Sequence, residues 1–337
     1  MEFRAPNISH SKTGPGSSSA PRWVHRFAVI TAFLTWLLLG AGAMVTSTGS
    51  GLAVPDWPLS YGRFFPPMVG GIFYEHGHRM IAGFVAILSF SLMICIWRYE
   101  RRFWIKMLSL GAFGCVLLQA GLGGLTVLMM LPPAVSAAHA CIGQLFFCLN
   151  VVLAMATSLD WETPAAPLAE EGTWISLRVL AVVTCLGFFL QLLLGAIMRH
   201  IGAGLAIPDF PLAFGGVIPP VLTFPVLIHF SHRIGACVMV LLSFSLALRI
   251  FRKHSGQREL VRLSVILLGL ISLQFTLGAM VIWWRRPVAI TSLHLVIGAL
   301  CLATTVALTC RVFRSRRASS FSRTFFQFPL HAPLEAP

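Results

Sequence analysis

The chain has 337 residues, of which 57% are hydrophobic and 11% are charged, with a mean hydropathy of +0.82 and a formal net charge of +14. Soluble domains carry about a quarter charged residues, so this composition excludes a soluble globular protein and indicates an integral membrane protein. The positive charge does not indicate nucleic-acid binding, because its placement follows the membrane topology derived below.

Eight apolar stretches are long enough to cross a bilayer, which takes about 20 residues in an α-helix. The predicted spans are residues 24–46, 73–97, 104–130, 134–158, 174–198, 223–248, 260–284 and 288–312. We therefore predict an all-α integral membrane protein with eight transmembrane helices.

The spans divide into two sets of four. A Pro-rich, acidic linker, 159–173, separates an N-terminal half, 24–158, from a C-terminal half, 174–312. We expect the ends, 1–23 and 313–337, to be disordered cytoplasmic tails. Because each half has an even number of spans, both halves take the same orientation, which predicts two four-helix bundles related by a pseudo-twofold axis along the membrane normal.

Lys and Arg are concentrated on one side of the predicted spans. The side that carries the N-terminus holds 19 of the 25 Lys and Arg residues. By the positive-inside rule, both termini are therefore cytoplasmic. Attraction of these residues to anionic lipid headgroups accounts for the excess positive charge. The arginines of the opposite, outer side are Arg63, Arg79, Arg199, Arg233, Arg285 and Arg286.

One sequence pattern occurs twice, about 154 residues apart. The first copy contains GSGLAVPDWP from residue 49, EHGHR from 75 and SAAHACIG from 136; the second contains GAGLAIPDFP from 202, HFSHR from 229 and TSLHLVIG from 291. A register held over this length indicates an internal repeat. The matching residues are Asp56 and Asp209, His78 and His232, Arg79 and Arg233, and His139 and His294.

The repeat places one histidine in every second span, a few residues from its outer end. At 1.5 Å per residue, the four side chains should lie about 5 to 12 Å below the outer membrane surface. Two imidazoles of one half could face each other across a four-helix bundle, and neutral imidazole is a standard ligand of haem iron. Interhelical hydrogen bonds and zinc or copper binding are the alternatives. The candidate ligands are His78, His139, His232 and His294.

Further repeated residues surround the histidines. Arg79 and Arg233 could pair with haem propionates or extend to lipid headgroups. Gln119 and Gln274 could hydrogen-bond the histidines or join helices. Several glycines could admit a flat macrocycle or allow close helix packing. They are Gly121, Gly123, Gly124, Gly143, Gly278 and Gly298.

The two copies differ at one titratable position. Glu75 stands three residues before His78 on the same helix face, whereas the equivalent residue is His229. A carboxylate beside one site predicts proton chemistry in the first half and electron transfer in the second. The alternative is that Glu75 complements the dipole of its helix. We expect the neighbouring His76, which faces away from His78, to be exposed.

The repeated motifs, in this order and over roughly residues 24–312, resemble the haem A synthase (CtaA/COX15) family. The resemblance implies an enzyme that oxidises the C8 methyl of haem O to a formyl group, giving the haem A of cytochrome oxidase. It implies that His78 and His139 flank the substrate haem O, that His232 and His294 ligate a haem b, and that Glu75 matches the essential acid of the family.

The resemblance has one departure in the first outer loop. Many bacterial members carry a cysteine pair there, at the positions of Val54 and Ser60, so a mechanism that requires this pair is excluded.

The family also implies a multi-pass protein of the bacterial cytoplasmic (inner) membrane. Lipid, a haem O synthase (protohaem farnesyltransferase) and cytochrome oxidase assembly factors are its expected partners, and a homo-oligomer is compatible with the sequence. The alternatives are a di-haem b electron-transfer protein without conversion and a transporter built from repeats.

Overall fold

The computed structural model describes residues 20–163, 167–168 and 175–315. These residues form eight long helices, each long and apolar enough to cross a membrane. The helices are α1 (Arg22–Ser47), α2 (Gly70–Tyr99), α3 (Phe103–Leu128), α4 (Pro133–Ala156), α5 (Leu177–His200), α6 (Phe224–Lys253), α7 (Arg258–Trp283) and α8 (Val288–Arg314). The prediction of eight spans is confirmed, with helix ends within five residues of those expected. The predicted tails, apart from their ends nearest α1 and α8, and most of the linker lie outside the described residues.

Two ends of the bundle are distinguished by their connections. We call the end that carries the long loops 48–69 and 201–223 the loop face, and the opposite end, where α1 begins and α8 ends, the linker face. Short 3-10 helices, Leu159–Trp161 and Ala203–Leu205, lie at the linker face and the loop face respectively.

Local sequence explains where several helices begin and how their polar groups are satisfied. Proline supplies the N-cap or the first turn of α4, α6 and α8, where a missing N–H costs no helical hydrogen bond. Within the helices, buried hydroxyls such as those of Thr35, Thr184 and Ser264 donate to the carbonyl four residues earlier. These polar side chains therefore need no partner from the lipid.

Each half forms its own bundle, and the two bundles share a seam. In the first half α1 and α3 both pack against α2 and α4; in the second, α5 and α7 both pack against α6 and α8. The halves meet where α1 contacts α8, α4 contacts α5, and α4 contacts α8. If the two halves are exchanged, the α1–α8 contact becomes the α4–α5 contact, and the α4–α8 contact maps onto itself. This pattern is expected for a pseudo-twofold axis between α4 and α8.

Small residues and a polar network hold the seam. Phe147 of α4 packs with Ala299 and Ala303 of α8, where the alanines allow a close helix approach. At the loop face, Arg199 Nη2 of α5 donates to Ala43 O (2.8 Å) and Ser47 Oγ (2.7 Å) of α1. Ser292 Oγ of α8 also lies 2.9 Å from Ser47 Oγ. Three helices from both halves are thus connected at one point.

A buried carboxylate joins helix ends at the linker face. Glu100, which is 2% exposed, accepts from Arg102 Nε (3.0 Å) and Nη2 (2.7 Å) and from Ala20 N (3.3 Å). Burial alone raises the pKa of Glu100, but the side-chain and backbone hydrogen bonds from Arg102 outweigh it and hold the pKa below its usual value. The ion pair therefore stabilises the folded chain at neutral pH, and this stabilisation is lost as the pH falls through the lowered pKa.

We predict that Glu100→Gln lowers the melting temperature of the detergent-solubilised protein at pH 7. Losing one charged hydrogen-bond partner costs about 1 to 3 kcal/mol. The difference from the unsubstituted protein should shrink as the pH falls below the usual range of a glutamate and on through the lowered pKa of the native carboxylate, where that carboxylate also becomes protonated. Glu259→Gln is the matched control, because the Glu259–Arg262 pair is largely exposed and should contribute little. An equal loss in both variants would contradict the assignment.

Candidate functional site

The four candidate histidines lie at matched depths from the loop face. His78 and His232 are the ninth residues of α2 and α6, and His139 and His294 are the seventh residues of α4 and α8. At 1.5 Å per residue, they lie about 9 to 12 Å along the helix from the loop-face ends. Both halves therefore have the same arrangement, and the depth of the histidines below a membrane surface stays a prediction.

Each imidazole packs against a glycine of the preceding helix. A Cβ added at any of these glycines would lie 3.0 to 3.2 Å from Cε1 of the histidine, a distance too short for comfortable packing. The missing side chain therefore gives the ring its space. The pairs are Gly42 with His78, Gly123 with His139, Gly195 with His232, and Gly278 with His294.

The repeated glutamines reach the histidines from the neighbouring helix. Gln119 Nε2 of α3 donates to the backbone carbonyl of His139 (2.6 Å), and Gln274 Nε2 of α7 lies 3.3 Å from Nε2 of His294. Both glutamines therefore join two helices, and Gln274 also contacts an imidazole, whereas Gln119 bonds the backbone of its histidine. Two of the repeated glycines, Gly143 and Gly298, make room for these amides.

Three of the histidines have an unsatisfied ring nitrogen. In the described part of the chain, Nδ1 of His78, His139 and His294 is buried without a hydrogen-bond partner. Buried polar atoms of this kind are rare and require an explanation. These Nδ1 atoms make no interhelical hydrogen bond within the described residues, so the alternative of interhelical hydrogen bonding does not explain them. Rings held by glycine contacts, at matched depths on α2 and α4 and on α6 and α8, fit a pair of axial haem ligands in each half.

The loop 48–69 contains a tight turn closed by Asp56. Its carboxylate accepts from the backbone N–H of Tyr61 (2.7 Å) and Gly62 (2.8 Å), and both of these residues have positive φ. The bonds from Gly62 and Tyr61 lower the pKa of Asp56. Asp209 closes the second loop in the same way, and bonds from Gly215 and Phe214 lower its pKa too. The duplicated PDxP box therefore builds a defined turn over each half.

The repeated arginines fasten these loops to the helices. Arg79 donates through Nη1 to the carbonyls of Asp56 (2.7 Å) and Leu59 (2.9 Å), and through Nη2 to Val54 O (3.1 Å) and Glu75 Oε1 (2.7 Å). All four Nη hydrogens are thus engaged. Arg233 makes corresponding bonds to the carbonyls of Ile207, Asp209 and Leu212. Propionate binding by either arginine stays a prediction, and at Arg79 a propionate would compete with the loop for the Nη donors.

Glu75 and its counterpart His229, which differ between the halves, both help to attach the loops to the helices. Glu75 is 4% exposed, and its Oε2 accepts from Val54 N at 2.8 Å. In the second half, His229 Nδ1 accepts from Ile207 N at 3.2 Å, and His229 Nε2 lies 3.2 Å from Arg233 Nε. The two residues make equivalent contacts, so Glu75 has specific partners beyond the dipole of its helix.

His76 is not exposed, contrary to the sequence-based expectation. It is 6% exposed, and its Nδ1 lies 2.8 Å from Ser60 Oγ. The expectation was wrong because the loop folds back over the start of α2 and covers this face of the helix. Ser60 stands at one position of the family's cysteine pair, and the corresponding second-half residues, Ala213 and Phe230, cannot form this bond.

Sequence reasoning missed several residues of the site. Gly42 and Gly195, which support His78 and His232, lie 153 positions apart, the same offset that relates Asp56 to Asp209. Extending that register into α1 and α5 would have found them. Gln191, whose amide contacts His232, has Leu38 at the equivalent position. A search for repeated residues alone does not find it.

A family model described as COX15-CtaA, cytochrome oxidase assembly protein, matches residues 69–306. The chain belongs to the COX15-CtaA family. The matched region runs from the start of α2 into α8 and includes all four candidate histidines. It also contains both loop-fastening arginines and Glu75.

Proteins named heme A synthase match most of the chain. The relative from Symbiobacterium thermophilum is 34% identical over 255 residues, which cover 71% of this chain and 79% of the relative. Those from Bacillus pumilus and Halalkalibacterium halodurans are 29% and 28% identical, covering 79% and 82% of this chain and 88% and 93% of the relatives.

We predict that Arg79→Lys loosens the loop 48–69. Lysine carries the charge but lacks the planar fork that holds three carbonyls and a carboxylate. Hydrogen–deuterium exchange should therefore accelerate in peptides spanning residues 54–63, with little change in α3. Arg63→Lys is the control, because Arg63 is exposed and contributes to the turn through its backbone. Unchanged exchange in Arg79→Lys would show that its hydrogen bonds do not hold the loop.

Proposed function

We propose that this protein is a haem A synthase that oxidises the C8 methyl of haem O to a formyl group. The observation that carries the proposal is the duplicated set of buried histidines, each against a glycine, at matched depths in two four-helix bundles. Membership of the COX15-CtaA family and relatives named heme A synthase support it.

In this proposal the first half binds the substrate. His78 of α2 and His139 of α4 hold haem O from opposite sides, while Gly42 and Gly123 leave room for their rings. Haem iron supplies the oxidising chemistry when bound, and the protein orients the methyl group. The chain's own contribution is two histidines packed against glycines, with one buried carboxylate near the loop face.

Glu75 is the residue proposed to handle protons. It lies one helical turn closer to the loop face than His78, and both of its carboxylate oxygens accept hydrogen bonds, Oε1 from Arg79 and Oε2 from Val54. These bonds fix the carboxylate in place, and each oxygen retains a lone pair for a transferable proton. A held acid or base of this kind contributes about 100-fold or more to a reaction rate.

The second half is proposed to hold a resident haem b through His232 and His294. Its loop-face end carries Arg199 and Arg286, where the first half has Thr46 and Leu131 at the equivalent positions. Neither arginine forms a salt bridge within the described residues. Two extra guanidinium groups favour retention of a haem with its two anionic propionates, whereas a substrate pocket must release its product.

The charge distribution supports cytoplasmic termini. Both ends of the described chain lie at the linker face, where the last turns of α2, α6 and α8 carry one or two Arg or Lys residues. We therefore propose that the loop face lies on the outer side of a bacterial inner membrane. Because haem O is insoluble in water, a haem O synthase in the same membrane is the proposed supplier.

The test is conversion in cells that make haem O. The chain is co-expressed with a haem O synthase in a host without haem A, and extracted haems are separated by chromatography. Haem A, or its hydroxylated precursor, is the expected product. Two permanent haem b groups without conversion would instead support the electron-transfer alternative, and a haem-free protein would contradict both proposals.

We predict that Glu75→His reduces conversion at least about 100-fold while the second-half haem stays bound. Histidine is the residue that the second half uses at this position to contact both loop and arginine, so the fold is expected to tolerate it. Haem chromatography measures conversion, and the absorption spectrum of the purified protein measures bound haem b. Glu259→Gln at the linker face is the control and should convert normally. Full conversion by Glu75→His would show that the Glu75 carboxylate is not needed for the reaction.

We predict that Gly195→Val lowers haem b occupancy of the purified protein. A Cβ at this position would lie 3.0 Å from Cε1 of His232, so the ring must move from its place. Gly269→Val is the matched control, because its added Cβ meets no atom within 4 Å and the helix-propensity change is the same. The pyridine haemochrome assay gives the ratio of haem to protein. Equal occupancy in the two variants would argue against His232 as a ligand.

A further inference from the structure

The guanidinium of Arg199 is only partly satisfied at the seam between the halves. Arg199 is the last residue but one of α5, and its Nη2 donates to Ala43 O (2.8 Å) and Ser47 Oγ (2.7 Å) of α1. Its Nε is buried and has no hydrogen-bond partner among the described residues. A buried N–H of this kind is costly when no acceptor binds it. The Nε side of Arg199 is therefore suited to an acceptor from outside the chain.

A second guanidinium lies beside Arg199. Arg286, in the connection between α7 and α8, packs against Gly204 of the 3-10 helix that follows α5. A Cβ added at Gly204 would lie 3.6 Å from Arg286 Cδ and 3.7 Å from its Nε. Arg286 forms no side-chain hydrogen bond or salt bridge with the described residues, and its charge acts on Arg199. Because two like charges repel each other, the pair favours an anion with two oxygens, such as a carboxylate.

Arg199 contacts the segment of α1 that supports a first-half histidine. Ala43, whose carbonyl accepts from Arg199, directly follows Gly42. Gly42 leaves space for the ring of His78, because a Cβ there would lie 3.1 Å from the ring Cε1. A movement of α1 at Ala43 therefore moves the surface against which His78 packs.

Arg199 is also close to the second-half site. Its charge acts on the imidazole of His294 in α8. Ser47, which accepts from Arg199, lies 2.9 Å through its Oγ from Ser292 Oγ, and Ser292 is two residues before His294. One side chain therefore connects the support of a first-half histidine with the surroundings of a second-half histidine.

The first half has no counterpart of this cation pair. Thr46, at the position of Arg199, donates to a carbonyl of its own helix. Leu131, at the position of Arg286, packs against Gly51. Leu131 and Arg286 both have positive φ, so the two turns match and the side chain differs. A requirement of bundle assembly alone would be expected in both copies, whereas this pair is specific to the second half.

We propose that Arg199 couples the two sites: together with Arg286 it binds a propionate of the second-half haem, and through Nη2 it holds α1 against His78. Arg199 is thus a positioning residue for the first half. The inference rests on the proposed function, because it requires a haem in the second half. It extends that function, because filling one site then changes the order of the other.

The coupling has its physical cause in the ordering of one guanidinium. Within the described residues Arg199 is held by hydrogen bonds only through Nη2, and it is repelled by Arg286. A carboxylate bound to both arginines removes the repulsion and fixes the plane of the guanidinium, so the bonds to α1 form at a lower entropic cost. By linkage, a more ordered α1 raises the affinity of the second half for haem by the same factor.

The experiment measures the response of α1 to haem in the second half. The full-length protein carries His139→Ala, so the first half has lost one ligand and a bis-histidine spectrum reports the second half. This protein is prepared without haem and then loaded with haem b. Hydrogen–deuterium exchange in peptides covering residues 40–48 should slow about fivefold or more on loading, while exchange in peptides of α3 should not change.

The haem carboxylates are tested directly with the dimethyl ester of haem b, which keeps the iron and the ring but carries no propionate charge. The ester should give the bis-histidine spectrum and yet leave exchange in residues 40–48 as fast as in the haem-free protein. If the ester slows exchange as much as haem b does, the inference is overturned.

A lipid phosphate has the same anionic chemistry as a propionate. Phosphatidylglycerol is therefore added to the detergent micelles of the haem-free protein, and exchange in residues 40–48 is expected to stay fast. Slow exchange with this lipid and without haem would show that the arginine pair binds a lipid headgroup, which would overturn the assignment to a propionate.

Two arginine variants separate anion binding from the structure of the connection. Arg286→Leu installs the first-half residue in a matching backbone conformation and changes nothing in α1, so it should abolish the response of residues 40–48 to haem b. Arg285→Leu is the matched control, because Arg285 is the neighbouring exposed arginine and also has positive φ. It should keep the response. Equal responses in the two variants would contradict the role of Arg286 and overturn the inference.

The haem assignment itself is checked by the spectrum of the His139→Ala protein. If a bis-histidine haem b forms there and is lost on adding His294→Ala, the second half binds haem, and an unchanged α1 then overturns only the coupling through Arg199. If no bis-histidine haem forms in the His139→Ala protein, the second-half assignment and the present inference fail together.

Discussion

The contact between an imidazole and a bare glycine backbone is the constraint on which the arrangement depends. A histidine ring in a membrane helix is energetically costly, and its bulk must be accommodated between the helices. Gly42, Gly123, Gly195 and Gly278 provide the space at four equivalent points, which fixes the distance between each histidine helix and the helix before it. The loops, the fastening arginines and the seam then assemble around two bundles whose internal spacing these contacts have set.

The two halves keep one scaffold and change its chemistry at a few positions. Glu75 and His229 make equivalent contacts to loop and arginine, yet only one is a carboxylate. Arg286 lies against Gly204 where Leu131 lies against Gly51, so the same backbone position presents a cation in one half and a hydrocarbon in the other. Both differences lie at the loop-face end of the bundles, near the candidate histidines, where the proposed division between a substrate site and a resident haem site would require the two halves to differ.

The sequence predicted the helices and the histidines because long apolar runs and repeated polar residues are strong signals in a membrane protein. His76 was predicted wrongly, since no local pattern shows how a loop folds over its own helix. Gln191 escaped notice because it is unique to one half. The string LLLGA occurs at residues 37–41 and 192–196, which suggests an offset of 155 between α1 and α5. The contacts instead show an offset of 153, because Leu39 and Leu192 make the same contact, one with Gly143 and the other with Gly298. The alignment of α1 with α5 is therefore determined by equivalent contacts and not by identical residues.

The network of Arg199, Ser47 and Ser292 has a consequence for the rate at which the proposed enzyme works. Electron tunnelling slows exponentially with distance, so small changes in the separation of two haems alter the rate steeply. The network holds α1, α5 and α8 together at the same end of the molecule as the four histidines. The loop 48–69 is fastened separately, to α2 through Arg79. A change in the loop 48–69 therefore leaves the contacts that set the spacing of the two halves, and with it the proposed tunnelling distance, unaltered.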